Sequence, residues 1–572
     1  MRKSIILFIA TCQLSIINCH LSIAQNDTTL KRIVTVERDF QPVIQSAGKI
    51  NPRPNILTPD IPLAPVIYST YSDSLSIGHM LNPLRVAEAR FIPQAPLNGV
   101  IDAAGGYRNT HFLFGYQIHQ KKKMSLNLFA NHDAYWGKDA LSQSQLGMQV
   151  TRHFSNADFY FGIEGENQAY TYRHEDRMPM TNFPWRTLWN AKAKIGVQSI
   201  GKTPVKYLIQ TGYNAFIAEQ FAVEHQAQSH LNLWWSDNTH SAGIKAYVQN
   251  HFYTRFDTTF AASPRHAIRI EPFYEYNDKH IHLHLGVNLN MNIGTGELLS
   301  TVENLSFAPS PNVQFEWNMM DNIFHIYALA TGHYALGSLE EYMGYNRYLN
   351  VVQGLAWSEP RAYTPVDAQI GFKLRPARTL LIDIYGGYAY FIGACNMHAE
   401  QRYDSESIAY YSLWQNDYQR WKVGANLHYH YRDIVEINVG GNYYFYQQEP
   451  LSSIDPESPH FQSANIKGTH IFDRPNWDIN ARLDVHINSK WSIYSENYFA
   501  GSRMAYVQKY PEGASAVELK PIISLNIGGQ YAINRWLAVY AQVNDYLNRK
   551  HDIFYGYQSQ GIHFLVGVKW RF

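Results

Sequence analysis

The sequence is poor in charged residues and has no long apolar run beyond its N-terminus. Charged residues make up 17% of the 572 residues, whereas a typical soluble chain has about 25%. A membrane-spanning helix needs ~18 consecutive apolar residues, and no stretch after the N-terminus approaches that length. The missing apolar runs exclude a helical membrane protein, and the low charge argues against a string of ordinary soluble domains.

Cysteine is scarce, and neither sign of charge dominates. Of the three cysteines, Cys12 and Cys19 lie in a segment that we interpret as a signal peptide. Cys395 then remains alone in the mature chain, so we expect no intramolecular disulfide. The 48 basic residues nearly balance the 47 acidic ones, which gives no reason to expect nucleic acid as a partner.

The N-terminal 98 residues divide into two parts. Residues 1–24 have the pattern of a secretory signal, with Arg2 and Lys3 before an apolar stretch and a small-x-small cleavage site at Ser22-Ile23-Ala24. Residues 25–98 hold nine of the 25 prolines, a composition that favours extended, polyproline-like chain. We therefore predict a Pro-rich segment over 25–98 that is periplasmic or inserted into the lumen of the domain that follows.

Aromatic residues and alternating patterns are abundant in residues 99–572. The chain contains 41 Tyr and 13 Trp. From Ile281 to Ile293 every second residue is apolar, and the residues between them are His, Gly and Asn. Thirteen strand residues at ~3.3 Å each, tilted by ~40°, cross about 30 Å of hydrocarbon. This length and alternation indicate strands with one face toward lipid and one toward a wet lumen.

Short and long connections alternate along the chain, as in outer-membrane barrels. Ten short turns are predicted at 121–123, 155–157, 201–204, 236–240, 277–280, 321–322, 376–378, 431–433, 489–490 and 534–535. They join ten strand pairs, and an opening strand near 99–108 and a closing strand at 562–572 complete the set. Longer connections lie between them, such as 174–184, 254–265, 337–361, 393–411, 447–471 and 507–517. We therefore predict an all-β fold: a transmembrane antiparallel β-barrel of about 22 strands (range 18–24), with short periplasmic turns and long extracellular loops.

The final strand carries apolar residues on one face and ends on an aromatic residue. The outward set is Phe564, Val566, Val568, Trp570 and Phe572. Such an ending resembles the C-terminal signal by which outer-membrane barrels are recognised for insertion. We expect outer-membrane lipid to contact this face and the barrel-assembly machinery to bind the strand.

Candidate lumen-facing residues lie on the polar faces of the clearest strands. They are His282, His284, Asn288, Asn290, His428, His430, Glu436 and Asn438. Each His-x-His pair places two imidazoles on one face about 7 Å apart, but neither pair has an obvious third ligand. We therefore expect no metal and no cofactor. No Ser-His-acid arrangement stands out by spacing, so we expect no enzyme.

A family resemblance comes from the end of the chain. The segment from Val543 to His551 is followed by Tyr555-Gly556-Tyr557, then by Gly561 and the terminal strand. This order resembles the closing hairpin of TonB-dependent receptors over about 30 residues. The resemblance implies a 22-strand barrel whose lumen holds a globular plug. The segment from Gln25 to Asn98 has only 74 residues, too few for a standard plug, and no TonB-contacting motif is seen.

Two functional hypotheses follow for a protein of the Gram-negative outer membrane. The first is a channel or receptor with a TonB-dependent-receptor-like barrel that lacks a full plug and passes or binds small polar solutes. The second is a non-transporting structural or assembly component. In that case residues 25–98 and the long loops would dock a periplasmic or outer-membrane protein, because extended Pro-rich chain loses little entropy on binding.

Overall fold

A computed structural model describes most of the chain from residue 98 onward. The described ranges are 98–120, 123–137, 140–171, 185–201, 203–218, 222–237, 239–255, 264–294, 307–320, 323–349, 361–401, 408–432, 434–448, 471–509 and 513–572. The predicted signal peptide and nearly all of the Pro-rich segment lie outside these residues. No helix in the described ranges is both long and apolar enough to span a membrane.

The described residues form strands and one short helix. The first thirteen strands are β1 Gly99–Tyr107, β2 Asn109–Gln120, β3 Met124–Tyr135, β4 Leu141–His153, β5 Ala157–Thr171, β6 Trp185–Ser199, β7 Val205–Ala218, β8 Ala222–Ser236, β9 His240–Arg255, β10 Arg265–Asn277, β11 Ile281–Gly294, β12 Phe307–Met319 and β13 Phe324–Leu336. Then come α1 Leu339–Tyr345, β14 Arg361–Ala377, β15 Leu380–Gln401, β16 Ile408–Tyr431, β17 Val435–Gln448, β18 Trp477–His486, β19 Trp491–Ala500, β20 Arg503–Lys509, β21 Gly513–Leu519, β22 Ile522–Ala532, β23 Leu537–Asn544, β24 Asp552–Phe554, β25 Tyr557–Gln558 and β26 His563–Arg571.

Twenty-two of these strands close into an antiparallel barrel. β1 to β19 pair in chain order, then β19 pairs with β22, β22 with β23 and β23 with β26. β26 returns to β1, with Val100 opposite Arg571 and Tyr107 opposite Phe564. β20 and β21 form a hairpin that joins the sheet through a parallel pairing of β20 with β15, whereas β24 and β25 form a separate hairpin. The predicted all-β class and the count of 22 strands are confirmed.

The short turns are built by a repeated side-chain device. In four of them an Asp or Asn accepts the backbone N–H groups two and three residues further on, which closes the reversal locally. Asp237, Asp278, Asn488 and Asn534 play this part, at donor–acceptor distances of 2.5–3.3 Å. Because β1 begins and β26 ends on the same side as these turns, both ends of the barrel domain lie at what we call the short-turn end.

The outer surface of the barrel is apolar. On β26 the side chains of Phe564, Val566, Val568 and Trp570 are exposed, whereas Leu565 and Lys569 are buried on the other face. Exposed tryptophans lie near both ends of the strands, at 136, 185 and 477 on one side and at 235, 317, 491, 536 and 570 on the other. This is the arrangement of aromatic girdles at the two interfaces of a membrane.

Two predicted loops are partly strand. Residues 393–411 were expected to be irregular, yet β15 continues to Gln401 and β16 begins at Ile408. Likewise, residues 507–517 include parts of β20 and β21. In each case the backbone finds a ladder partner: β15 pairs with β16 and, in parallel, with β20. Because their backbone N–H and C=O groups are hydrogen-bonded to neighbouring strands, these strands extend beyond the hydrocarbon layer of the membrane.

Candidate functional site in the mouth of the barrel

The helix α1 begins with a capping box. The hydroxyl of Ser338 accepts the backbone N–H of Glu341 at 2.9 Å, and the Glu341 carboxylate accepts the backbone N–H of Ser338. These reciprocal bonds satisfy donors that a helix start leaves unpaired. The helix ends where the N–H of Asn346 bonds to the carbonyl of Tyr342. Its Leu339, Tyr342, Met343 and Tyr345 side chains are buried.

α1 lies inside the barrel. Its Glu340 carboxylate accepts bonds from Asn190 of β6 and Asn214 of β7, each at 2.5 Å. On the opposite side the Tyr342 hydroxyl donates to the sulfur of Cys395 in β15, at 3.0 Å. β7 and β15 are eight strands apart around the ring. A seven-residue helix that contacts both walls must therefore lie within the lumen, and the faces it contacts are the inward faces.

The wall that receives the N-terminus of α1 is polar and buried. Glu224 of β8 accepts the backbone N–H of Glu340 at 3.2 Å and the Tyr253 hydroxyl at 2.9 Å. The Arg265 guanidinium donates to the Tyr253 oxygen at 2.5 Å. Both charged groups are almost completely buried, at 0% and 1% exposure. The Lys192 ammonium adds an ion pair to Glu340 at 2.8 Å. These contacts fix the helix start against consecutive strands β6 to β10.

The first turn of α1 brings the carboxyl groups of Glu340 and Glu341 close to that of Glu224. Burial raises the pKa of Glu341 to about 7, and the nearby Glu224 and Glu340 carboxylates act in the same direction. The hydrogen bond from the Ser338 backbone opposes this shift. A buried carboxyl that prefers to be neutral makes the docked helix sensitive to pH.

Aromatic packing fills the rest of the mouth. Tyr348, just after α1, stacks on Tyr557 of β25 with ring centroids 3.5 Å apart. Phe554 of β24 packs against Tyr345 and Tyr411, at 5.9 and 5.6 Å. The β24–β25 hairpin is itself held by the Tyr411 hydroxyl, which donates to the Tyr555 carbonyl at 2.6 Å. At the end of the barrel opposite the short turns, which we call the long-loop end, side chains from α1, this hairpin and the barrel walls therefore form one buried core.

The predicted polar residues of β11 lie on the inward face. β10 and β11 pair with Glu275 opposite His284, and Arg265 shares its face of β10 with Glu271 and Glu275. His284 Nε2 lies 3.0 Å from Glu271 Oε1, and Asn288 donates to the Gly332 carbonyl at 2.8 Å. His284, Asn288 and Asn290 are buried, while Leu285 and Val287 between them are exposed. His282 lies 3.7 Å from Glu275 on the same face.

The predicted residues of β16 and β17 form a second group. His428 Nδ1 lies 2.5 Å from the Asn438 amide oxygen, and Asn438 donates to Glu436 at 3.2 Å. The His428 and His430 rings are 5.8 Å apart, and His430 is opposite Glu436 in the register. The two His pairs thus stand on separate strands, and neither joins α1. Across the described ranges, no three or more His, Cys, Asp or Glu residues group as metal ligands.

Phe572 and the closing strand seal the barrel seam. The backbone of Phe572 exchanges hydrogen bonds with Gly99, and its ring stacks on Tyr116 with centroids 5.8 Å apart. A Cβ at Gly99 would lie 2.5 Å from the Phe572 ring, so a larger residue at position 99 would displace the ring. Binding of the strand by the assembly machinery stays a prediction.

The residues that hold α1 were not among the candidates predicted from the sequence. Ser338 and Glu341 have the S-x-x-E spacing of a capping box, so the helix could have been found within the predicted 337–361 loop. Its partners could not, because Asn190 and Glu340 are 150 residues apart in the chain.

Comparison with solved structures identifies the architecture. A ferric enterobactin receptor mutant from Pseudomonas aeruginosa aligns with 84% of this chain and 82% of its own, at a TM-score of 0.61 and 9% identity. The siderophore receptor PirA from Acinetobacter baumannii aligns with 85% of this chain and 81% of its own, at a TM-score of 0.60 and 10% identity. The copper transporter OprC aligns with 85% of this chain and 81% of its own, at a TM-score of 0.59 and 12% identity. The barrel has the fold of the TonB-dependent receptors.

This receptor-like barrel is placed in the outer membrane by its own surface. A closed sheet has no unpaired edge, and its exposed apolar face suits hydrocarbon. The predicted localisation is confirmed. No family model matches the sequence, and no curated protein matches it.

Proposed function

We propose that the protein is an outer-membrane receptor or transport barrel whose outer mouth is held shut by α1. Small polar solutes bind in or pass through the lumen only when this helix leaves its position. The observation that carries the proposal is the contact of α1 with both walls, through Glu340 on one side and Tyr342 on the other. Its role is one of binding and passage rather than catalysis.

The inward face below α1 supports this function. It carries hydrogen-bonded polar groups, among them Glu271 with His284 and His428 with Asn438. Such groups exchange partners with a polar solute or water at little cost, whereas an apolar wall would not. We retain the eight predicted lumen residues as candidates for this lining.

Residues 25–98 enter the proposal as a second stopper. Outer-membrane transporters with 22 strands have a plugged lumen, and residues 25–98 directly precede β1. A short Pro-rich segment inserted from the short-turn end, together with α1 at the other end, would close the lumen twice.

Planar-bilayer conductance tests both stoppers in a two-by-two design. The four proteins are the mature chain, the chain without residues 25–95, the chain with residues 338–346 replaced by a Gly-Ser linker, and the chain with both changes. We expect the mature chain to conduct least and the double variant most. If no folded variant conducts, the transport function is wrong.

The second candidate is a non-transporting component of an outer-membrane assembly. Two features favour this candidate: the parts of β15 and β16 that extend beyond the membrane, and the β20–β21 hairpin beside them. These elements give the long-loop end a built surface for a partner. Detergent extraction followed by affinity capture of the mature chain would recover that partner in stoichiometric amount; recovery of the bare protein argues against this candidate.

A further inference from the structure

The two ends of the barrel carry opposite charge. The ten short turns between the strands contain nine Lys and Arg against four Asp. The eleven connections at the other end, with α1, β20, β21, β24 and β25 included, contain thirteen basic and twenty acidic residues. The short-turn end is therefore cationic in a chain whose total charge is close to zero.

Two of the four acids in the short turns are already engaged. Asp237 and Asp278 each accept two backbone N–H bonds within their turn, and these bonds lower the pKa of both carboxyls. Both carboxylates therefore stay ionised, and the excess of nine basic over four acidic residues still leaves a net positive field at this end.

Three exposed arginines at this end lie over exposed aromatic rings. The guanidinium carbon of Arg152 lies 5.5 Å from the Phe154 ring centroid, and that of Arg432 lies 5.3 Å from the Tyr431 centroid. At a third turn Arg535 lies 4.7 Å from Trp536. The rings are 52%, 45% and 40% exposed. The three pairs belong to the β4–β5, β16–β17 and β22–β23 turns, so they are distributed around the rim.

An aromatic ring at a membrane interface sits at headgroup depth. A guanidinium stacked on such a ring is held at that same depth, and its planar donors fit a phosphate in a bidentate manner. The ring thus sets the position and the arginine supplies the charge.

We propose that the short-turn rim binds anionic phospholipid headgroups of the leaflet that surrounds it, through Arg152, Arg432 and Arg535. The partner is a lipid surface rather than a free ion, because each cation lies over an exposed ring at the rim and the three pairs belong to three separate turns. This inference rests on the outer-membrane barrel alone and stands whether or not the lumen conducts.

Quenching of intrinsic Trp fluorescence by brominated lipid measures the proposed preference. The full mature chain is reconstituted into phosphatidylcholine vesicles, and brominated phosphatidylglycerol is compared with brominated phosphatidylcholine. We expect the anionic lipid to bind about fivefold more strongly at each basic site at low salt. The preference should fall toward one in R152Q/R432Q/R535Q and in high salt.

A matched control removes three exposed positive charges from the other end. The variant K520Q/R549Q/K550Q loses the same net charge and should keep the preference. If the wild-type chain shows no preference, or if both triple variants lose it equally, the proposal is wrong. It is also wrong if inorganic phosphate abolishes the preference at a salt concentration where chloride does not, since the rim would then bind phosphate ion. Folded barrels are selected by their mobility in unheated SDS gels, and single variants replace any triple that fails to fold.

Discussion

Replacing Glu340 by Gln should release α1 from the barrel wall. The Glu340 carboxylate accepts bonds from Asn190 and Asn214 at 2.5 Å. A glutamine has one acceptor oxygen, so its amide nitrogen would face a donor at one of these positions. The ion pair with Lys192 is also lost, but it is partly exposed and contributes little.

The magnitude follows from the bonds that are lost. A hydrogen bond to a charged group contributes about 1.5–3 kcal/mol. Losing one and weakening the other should destabilise the docked helix by roughly 2–3 kcal/mol, which raises the undocked population about 30- to 150-fold. The barrel itself should remain intact, since Glu340 lies outside every strand.

Cys395 provides the assay. Its side chain is buried, and its sulfur accepts the Tyr342 hydroxyl at 3.0 Å, so a thiol reagent reaches it only when α1 moves away. When reclosing is fast, the labelling rate is proportional to the population of the open form. E340Q should therefore label about 30- to 150-fold faster than the wild-type chain.

Two controls define the result. E518Q removes the same charge from an exposed position on β21 and should label at the wild-type rate, and C395A reports any background. A labelling rate in E340Q that matches the wild type, in a folded barrel, would refute the assignment of Glu340 as the anchor.

Three further predictions concern the same structure. The pKa of Glu341 is about 7 when α1 is docked and about 4.5 when it is free, so docking is strongest below about pH 4.5 and is weakened progressively up to about pH 7. The labelling-rate ratio of wild type to E341Q should rise over that range, and a flat ratio contradicts the shift. Y557A should remove a stacked aromatic and cost about 3–5 kcal/mol of local packing, seen as faster tryptic cleavage of the β23–β26 connection; the exposed-site control Y443A should leave cleavage unchanged. D102N should leave the buried Lys569 ammonium, now 3.1 Å from Asp102, without its counterion, at a cost of about 3–5 kcal/mol. The temperature at which the barrel unfolds in SDS gels should fall, and D102L/K569M should recover part of it; no fall in D102N would show that the seam does not depend on this pair.

The strands and short turns could be predicted from the sequence because their causes are local. Alternation along Ile281–Ile293 depends only on the residues of β11, and turns such as Asn534–Leu537 are closed by a side chain two or three residues away. The strand count followed from these repeated signals. The predicted bounds of the loop at 393–411 were wrong, because β15 and β16 continue there as paired strands above the membrane.

The position of α1 could not be predicted in this way. Its capping box is local, but the helix is drawn into the lumen by Asn190, Asn214 and Cys395, which come from distant strands. The apolar residues Leu339 and Met343 give no sign of whether a loop folds inward or remains outside. The resemblance at the end of the chain indicated the barrel family, but it did not show that Tyr557 would pack against this helix.

Conductance recorded before and after modification of Cys395 tests the gating role of α1 most directly. The chain without residues 25–95 is inserted into a planar bilayer, and a bulky thiol reagent is then added to the side of the long loops. Once attached, the reagent occupies the space beneath Tyr342 and keeps α1 from docking. We predict a stepwise rise in conductance that C395A does not show. Complete labelling of Cys395 without any rise would contradict the claim that α1 closes a path through the barrel.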